Sequence, residues 1–167
     1  MQVMHTHSIM TNIAIRPALP EDAAHIAHFL EVQWGATVMV SRGRLFDVTR
    51  LPAFIAIWDG LLVGLITYHI ENGECEIVTL DSIVSNMGVG TALIEAVRQA
   101  AEHCWRLWLI TTNDNLYALG FYQKRGFQLV AVHRNAIELS RQMKPEIPLI
   151  GMDGIPIRDE IELEILL

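Results

Sequence analysis

The sequence predicts a mixed α/β (α+β) domain in which a mainly antiparallel sheet of about six to seven strands is flanked by helices. Three observations carry that prediction. First, Asp59-Gly60 and Asn72-Gly73 each interrupt an apolar run, and both dipeptides suit the left-handed conformations of a two-residue hairpin. AFIAIW, LLVGLITYHI and ECEIVTL therefore read as an antiparallel meander over 53–58, 61–71 and 74–81. Second, a strand–turn–helix unit follows, with two glycines in SNMGVGTALIEAV at 85–97. Third, 51% of the residues are apolar and 19% charged, a balance that fits a packed core and excludes a disordered chain. With 167 residues, one domain is long enough to bury that core.

The remaining elements follow in order. Ile13–Arg16 reads as a short edge strand. Pro20-Glu21-Asp22 suits a first helical turn, because proline is tolerated there and acids favour the dipole; Ile26, Phe29 and Leu30 carry the helix to about Val32. Gly35 and Gly43 break up Trp34–Leu51, where a loop with a short second helix is expected. After the meander, Asp81–Met87 leads into the glycine turn and a helix from Val89 to about His103, with Leu93, Ile94 and Val97 on one face. Trp105–Ile110 is a further strand. Asn113-Asp114-Asn115 supplies cap chemistry for a helix over 116–124, and Gly126 ends it. Residues 127–132 and 136–139 read as one irregular strand, and a Pro- and Gly-marked connection precedes a last strand at 159–166.

Several function classes are excluded. MQVMHTHSIMTN has neither the basic start nor the apolar core of a signal peptide, and reads as a flexible leader (1–12) ahead of one domain (13–167). The apolar region 51–70 is broken by Asp59-Gly60 and is not a membrane span. A net charge of −7 argues against a nucleic-acid partner. Cys75 and Cys104 have no partner at metal or redox spacing, which fits a reducing cytoplasm. His25 and His28 are three apart on a helix, yet no third ligand is evident, so no metal is expected.

The glycine turn admits three readings. A strand-to-helix turn needs no ligand. A dinucleotide fold would want a small residue where Leu93 stands and would begin with this unit, although Asp114 lies after the next strand as a ribose-binding acid would. A phosphate cradle would use bare backbone N–H groups at the helix start. A P-loop is excluded, since no Gly-Lys-Ser/Thr follows.

The second half of the chain adds a further motif. Asn115-Leu-Tyr-Ala118-Leu-Gly-Phe121-Tyr122-Gln-Lys-Arg-Gly126-Phe127 resembles the N-x-x-A-x-x-[apolar]-Y-x-K-x-G-F signature of the GNAT superfamily of N-acetyltransferases. The turn at 85–90 then resembles its acetyl-CoA pyrophosphate loop, Q/R-x-x-G-x-G/A, with Ser85 where the long donor usually stands. The resemblance covers residues 13–140, most firmly 74–130. It implies a GNAT-like sheet whose strands 74–81 and 105–111 splay apart to receive the pantetheine arm. It also implies cofactor contacts from Leu80, Ser85, Met87, Gly88, Val89, Gly90, Thr91, Asn115 and Tyr122. Arg98, Lys124 and Arg125 are candidate phosphate neighbours, or solvated surface.

The implied chemistry is acetyl transfer from acetyl-CoA to an amine of a small molecule or peptide. The ammonium must lose a proton and the departing thiolate must gain one. Tyr122 matches the family tyrosine beside the sulfur, and a phenol of pKa about 10 is a suitable acid. Glu74 and Glu76 share one strand face; either is a candidate base, or both are the polar side of an alternating strand. His69 is a reserve base, and His133 is placed to face the same cleft. Trp34, Arg42 and Arg44 lie in the segment that covers the acceptor pocket in this fold. A non-catalytic acyl-CoA-binding or sensing module is the alternative, and the last strand is a candidate for pairing in a homodimer.

Overall fold

The computed structural model describes residues 12–167, so the expected leader lies outside the described residues but for Asn12. β1 (Ile13–Pro17) is followed by one 3-10 turn at Pro20–Asp22 and α1 (Ala23–Trp34). Gly35 ends α1 in the left-handed conformation, φ +70°. A hairpin follows, β2 (Val38–Ser41) against β3 (Arg44–Asp47), where a loop and a short helix were expected. Its turn, Arg42-Gly43, has φ of +48° and +72°, the backbone of the predicted hairpin turns, but arginine is a poor predictor of that conformation.

The meander is observed as predicted, β4 (Ala53–Trp58), β5 (Leu61–Glu71) and β6 (Glu74–Ser82). Asp59, Gly60, Asn72 and Gly73 all have positive φ. Then come α2 (Val89–Ala100), β7 (Arg106–Thr112), α3 (Leu116–Gln123) and β8 (Gln128–His133). Residues 136–139 are not strand but the start of α4 (Ala136–Met143). Ile137 and Ser140, three apart, are its buried face, a helical spacing that outweighs local strand propensity. β9 (Glu160–Leu166) closes the series.

The sheet runs β1-β4-β5-β6-β7-β9-β8, and β6–β7 is its parallel pair. The last strand therefore lies inside the sheet, with β7 on one edge and β8 on the other. That correction leaves β9 no free edge for pairing with a second copy. One core, with Ile66, Leu93, Val97, Leu107 and Leu163, fills the side of α2 and α3. A second, with Leu30, Phe46, Val48, Ile55 and Leu65, lies beneath α1 and the β2–β3 hairpin. Burying even one such Leu or Phe side chain contributes about 1.5–3 kcal/mol.

The parallel pairing stops early. It runs from Glu74↔Arg106 to Ile77↔Leu109, although β6 continues to Ser82 and β7 to Thr112. At the same point the β5–β6 register jumps from Tyr68↔Ile77 to Thr67↔Thr79, so Val78 is an extra residue on β6. Such a bulge bends its strand, and here it turns β6 away from β7. The strands part where the expected splay was placed.

Candidate active site

The glycine turn lies at the open end of that splay. Asn86 and Gly88 hold φ of +59° and +71°, and Gly88 is the N-cap of α2. No side chain caps this helix, so the N–H groups of its first turn are left for another acceptor. The two glycines are required for different reasons. Gly88 has open space around it and is needed for its backbone; a Cβ on Gly90 would stand 2.8 Å from Phe121 Cζ, so Gly90 lets α3 approach. The uncapped amides and the positive helix end fit an anionic diphosphate. Ser85 and Thr91 are exposed at the rim, Met87 is half-buried and Val89 is anchored in the core.

On the same side, Tyr122 is buried between Phe121 and Phe127, with ring centroids 5.2 and 5.3 Å away. Burial drives its phenol pKa well above the ordinary value, and the Asp81 carboxylate pushes the same way. The group is held neutral, as a proton donor must be. Burial also raises Asp81, against the Trp34 indole N–H that donates to its Oδ2 at 2.6 Å. Leu80 packs half-buried against the core that contains Tyr122. Asn115 caps α3, its Oδ1 accepting from Ala118 N at 3.1 Å. Asp114 is buried, accepting from Thr112 Oγ1 at 2.5 Å and Met152 N at 2.9 Å. It fastens the connection before β9 and is no ribose ligand.

The opposite face of β6 carries the carboxylates. Glu76 is buried and accepts a short hydrogen bond from Ser41 Oγ of the hairpin. Burial pushes its pKa up to about 7, Ser41 and Arg44 oppose the rise, and Glu160 and Glu162 add to it. A carboxylate that titrates near neutrality suits a proton acceptor. Glu74 is bound instead by Arg106, whose Nη2 donates to it at 2.9 Å. The other arm of Arg106 reaches Glu162 and Glu164, each at 2.8 Å. Burial disfavours the Arg106 cation, but the three carboxylates outweigh it and its pKa is raised. Glu162 likewise is raised by burial, but His133 at 2.8 Å and Arg106 bring it below its ordinary value.

His69 stands across from Glu76 in the β5–β6 register. Its Nε2 is buried with no hydrogen-bond partner among the described residues, and its ring lies 5.4 Å from Phe46. Arg44 pairs with Glu71 at 2.6 Å, and Arg42 approaches Glu160 with backbone N at 3.2 Å. His25 and His28 are exposed on α1, apart from this site.

Ser41, Asp81, Arg106, Glu160 and Glu162 were missed as site neighbours. Ser41 arrives from a hairpin the sequence did not reveal, and β9 was not predicted to lie beside β7. Alternation in RDEIELEILL was the available signal, since it puts Glu160, Glu162 and Glu164 on one face. No helix among the described residues is long and apolar enough to cross a membrane.

Comparison with known proteins agrees with this geometry. The profile of the acetyltransferase (GNAT) family matches residues 20–127. Protein YdhI of Bacillus subtilis (strain 168) is 46% identical over 145 residues, covering 84% of this chain and 91% of its own. A GNAT family acetyltransferase from Elizabethkingia anophelis, solved with acetyl-CoA bound, is similar in fold at a TM-score of 0.65 and 21% identity, covering 93% of this chain and 99% of its own. Arabidopsis thaliana Naa50, solved with the bisubstrate analogue CoA-Ac-MVNAL, gives a TM-score of 0.66 at 16% identity, over 93% of this chain and 99% of its own. An uncapped glycine turn at the open end of a splayed parallel pair, with a buried tyrosine beside it, thus occurs where the family profile falls: this chain belongs to the GNAT family of acetyltransferases.

Proposed function

We propose that the protein is a cytoplasmic N-acetyltransferase in which residues 13–167 act as one domain. It transfers acetyl from acetyl-CoA directly to a primary amine of a small molecule or peptide in a ternary complex. The observation that carries this reading is the end of β6–β7 pairing at Ile77↔Leu109, beside the uncapped first turn of α2. The solved neighbours with acetyl-CoA and with a peptide-bearing analogue support the substrate classes.

In this mechanism the amides of Gly88–Thr91 hold the diphosphate, and the unpaired edges of β6 and β7 receive the pantetheine amides. Bound acetyl-CoA supplies an acyl group activated as a thioester. Glu76 accepts the proton that the ammonium must lose, directly or through one water, so that nitrogen can form the new C–N bond. Tyr122 donates its proton to the sulfur as the C–S bond breaks. Asn115 and Leu80 line the arm, and Glu74 holds Arg106 in place rather than serving as base.

Titration calorimetry with acetyl-CoA, with NADH as control, tests the reading first. Saturable binding of acetyl-CoA alone is expected, followed by turnover in a screen of amines. Tyr122→Phe should then lower kcat by about 100-fold while leaving acetyl-CoA affinity within about twofold. Binding with no turnover of any amine would favour a sensing module, and no binding would remove both.

A further inference from the structure

Ser85 leaves the family's pyrophosphate loop without its long donor, because a serine hydroxyl is short and this one is exposed. A guanidinium reaches the first turn of α2 from the other helix. Arg125 Nε donates to Thr91 Oγ1 at 2.8 Å, and its Nη1 donates to the Phe121 carbonyl at 2.8 Å. The same guanidinium lies 3.5 Å above the Phe121 ring. Phe121 in turn is the ring that excludes any side chain at Gly90. Loop, ring and cation are therefore one packed unit.

These contacts occupy Nε and Nη1 and leave Nη2 without a hydrogen bond among the described residues. The side chain is half-buried, whereas Arg98 and Lys124 are exposed. A pre-oriented guanidinium forfeits little freedom on binding, and its fork matches phosphate oxygens better than an ammonium does.

We propose that Arg125 donates to the pyrophosphate of acetyl-CoA, supplying from α3 the cationic donor that the loop lacks at Ser85. This rests on the acetyl-CoA reading above and adds a residue that the family signature does not specify. The packing on Phe121 makes it a fixed donor, and Thr91 sets its distance from the amides of α2.

Calorimetric titration of the full chain with acetyl-CoA and with 3′-dephospho-CoA tests it, using wild type, Arg125→Gln, Ser85→Arg and the double variant. Loss of one charge-assisted bond should weaken both ligands by about tenfold or more in Arg125→Gln. Adding Ser85→Arg to that variant should restore most of the affinity, since the donor returns from the other side of the same anion. Thermal unfolding of each variant accompanies the titrations. Unchanged affinity in Arg125→Gln would overturn the proposal. So would a loss seen with acetyl-CoA but not with 3′-dephospho-CoA, which would move Arg125 to the 3′-phosphate. A loss with lowered melting temperature and no recovery on Ser85→Arg would also overturn it, leaving a packing role. Wild type that binds neither ligand would instead sink the acetyl-CoA reading itself.

Discussion

The two faces of the sheet meet at the same splay and handle charge in opposite ways. On the α2–α3 side the core is apolar, and the uncapped polar groups are backbone amides at one helix start. On the other side ionisable side chains from four strands gather, with Glu74 and Glu76 from β6, Arg106 from β7, Glu162 and Glu164 from β9, and His133 from β8. The first arrangement is local and needs glycine in two places. The second is assembled from residues up to 90 positions apart and works only if each charge finds its partner. Apart from Tyr122, a mutation on the first face should thus act through packing and affinity, and one on the second through pH.

The largest effect expected from breaking that contrast is at Arg106. Arg106→Ala leaves three carboxylates facing one another in a half-buried place, and should cost about 3 kcal/mol of stability at pH 7 in urea unfolding. Because pairing holds Glu162 below its ordinary pKa, its stabilising contribution is present above the usual carboxylate range and is lost as pH falls through the folded value. The penalty of Arg106→Ala should therefore shrink toward pH 4. An equal penalty at both pH values would mean that packing between Trp105 and Trp108, at 5.1 and 4.9 Å, outweighs the charges.

Glu76→Gln comes next and has the opposite sign. The folded pKa of Glu76 is raised to about 7, so the stability linked to its proton is present below the unfolded value and is lost as pH rises through about 7. Wild type and Glu76→Gln should be near equal at pH 4, and the variant should be more stable by about 3 kcal/mol at pH 9. In an amine-turnover assay the same substitution should slow kcat by about 100-fold. A variant that is less stable at pH 9 would show that the bond from Ser41 needs the carboxylate.

The smallest effect belongs to the other face. Asn115→Ala removes the α3 cap and should cost about 1 kcal/mol, with no pH dependence between 5 and 9. A circular dichroism melt at two pH values is sufficient to check it.

The same contrast explains what could be read in advance. Asp59-Gly60 and Asn72-Gly73 predicted both meander turns because their residues tolerate left-handed backbone, while Arg42-Gly43 adopts that backbone without advertising it. The residues at 85–91 and Asn115–Phe127 were legible because each motif is contiguous. Glu76 was a candidate, but its partner Ser41 lies on the unpredicted hairpin, and the role of Glu74 depended on Arg106. Residues 136–139 were misassigned because a short apolar–polar run fits either period, and only burial of Ile137 with Ser140 decides for helix.

The position of β9 has a consequence for how this chain is made. β7 and β8 are translated first, yet they do not pair with each other; the strand that joins them is translated after both. Until it arrives, β7 presents Leu107, Trp108, Leu109 and Ile110 along an open edge, the kind of segment that recruits chaperones or pairs with a neighbouring nascent chain. Removing 160–166 would split the sheet rather than trim it, and insertion of a strand between two others is a slow, non-local step. For expression and engineering, this last strand is a keystone, and Glu160, Glu162 and Glu164 on it bring in the carboxylates that meet Ser140, Arg106 and His133 in the same late event.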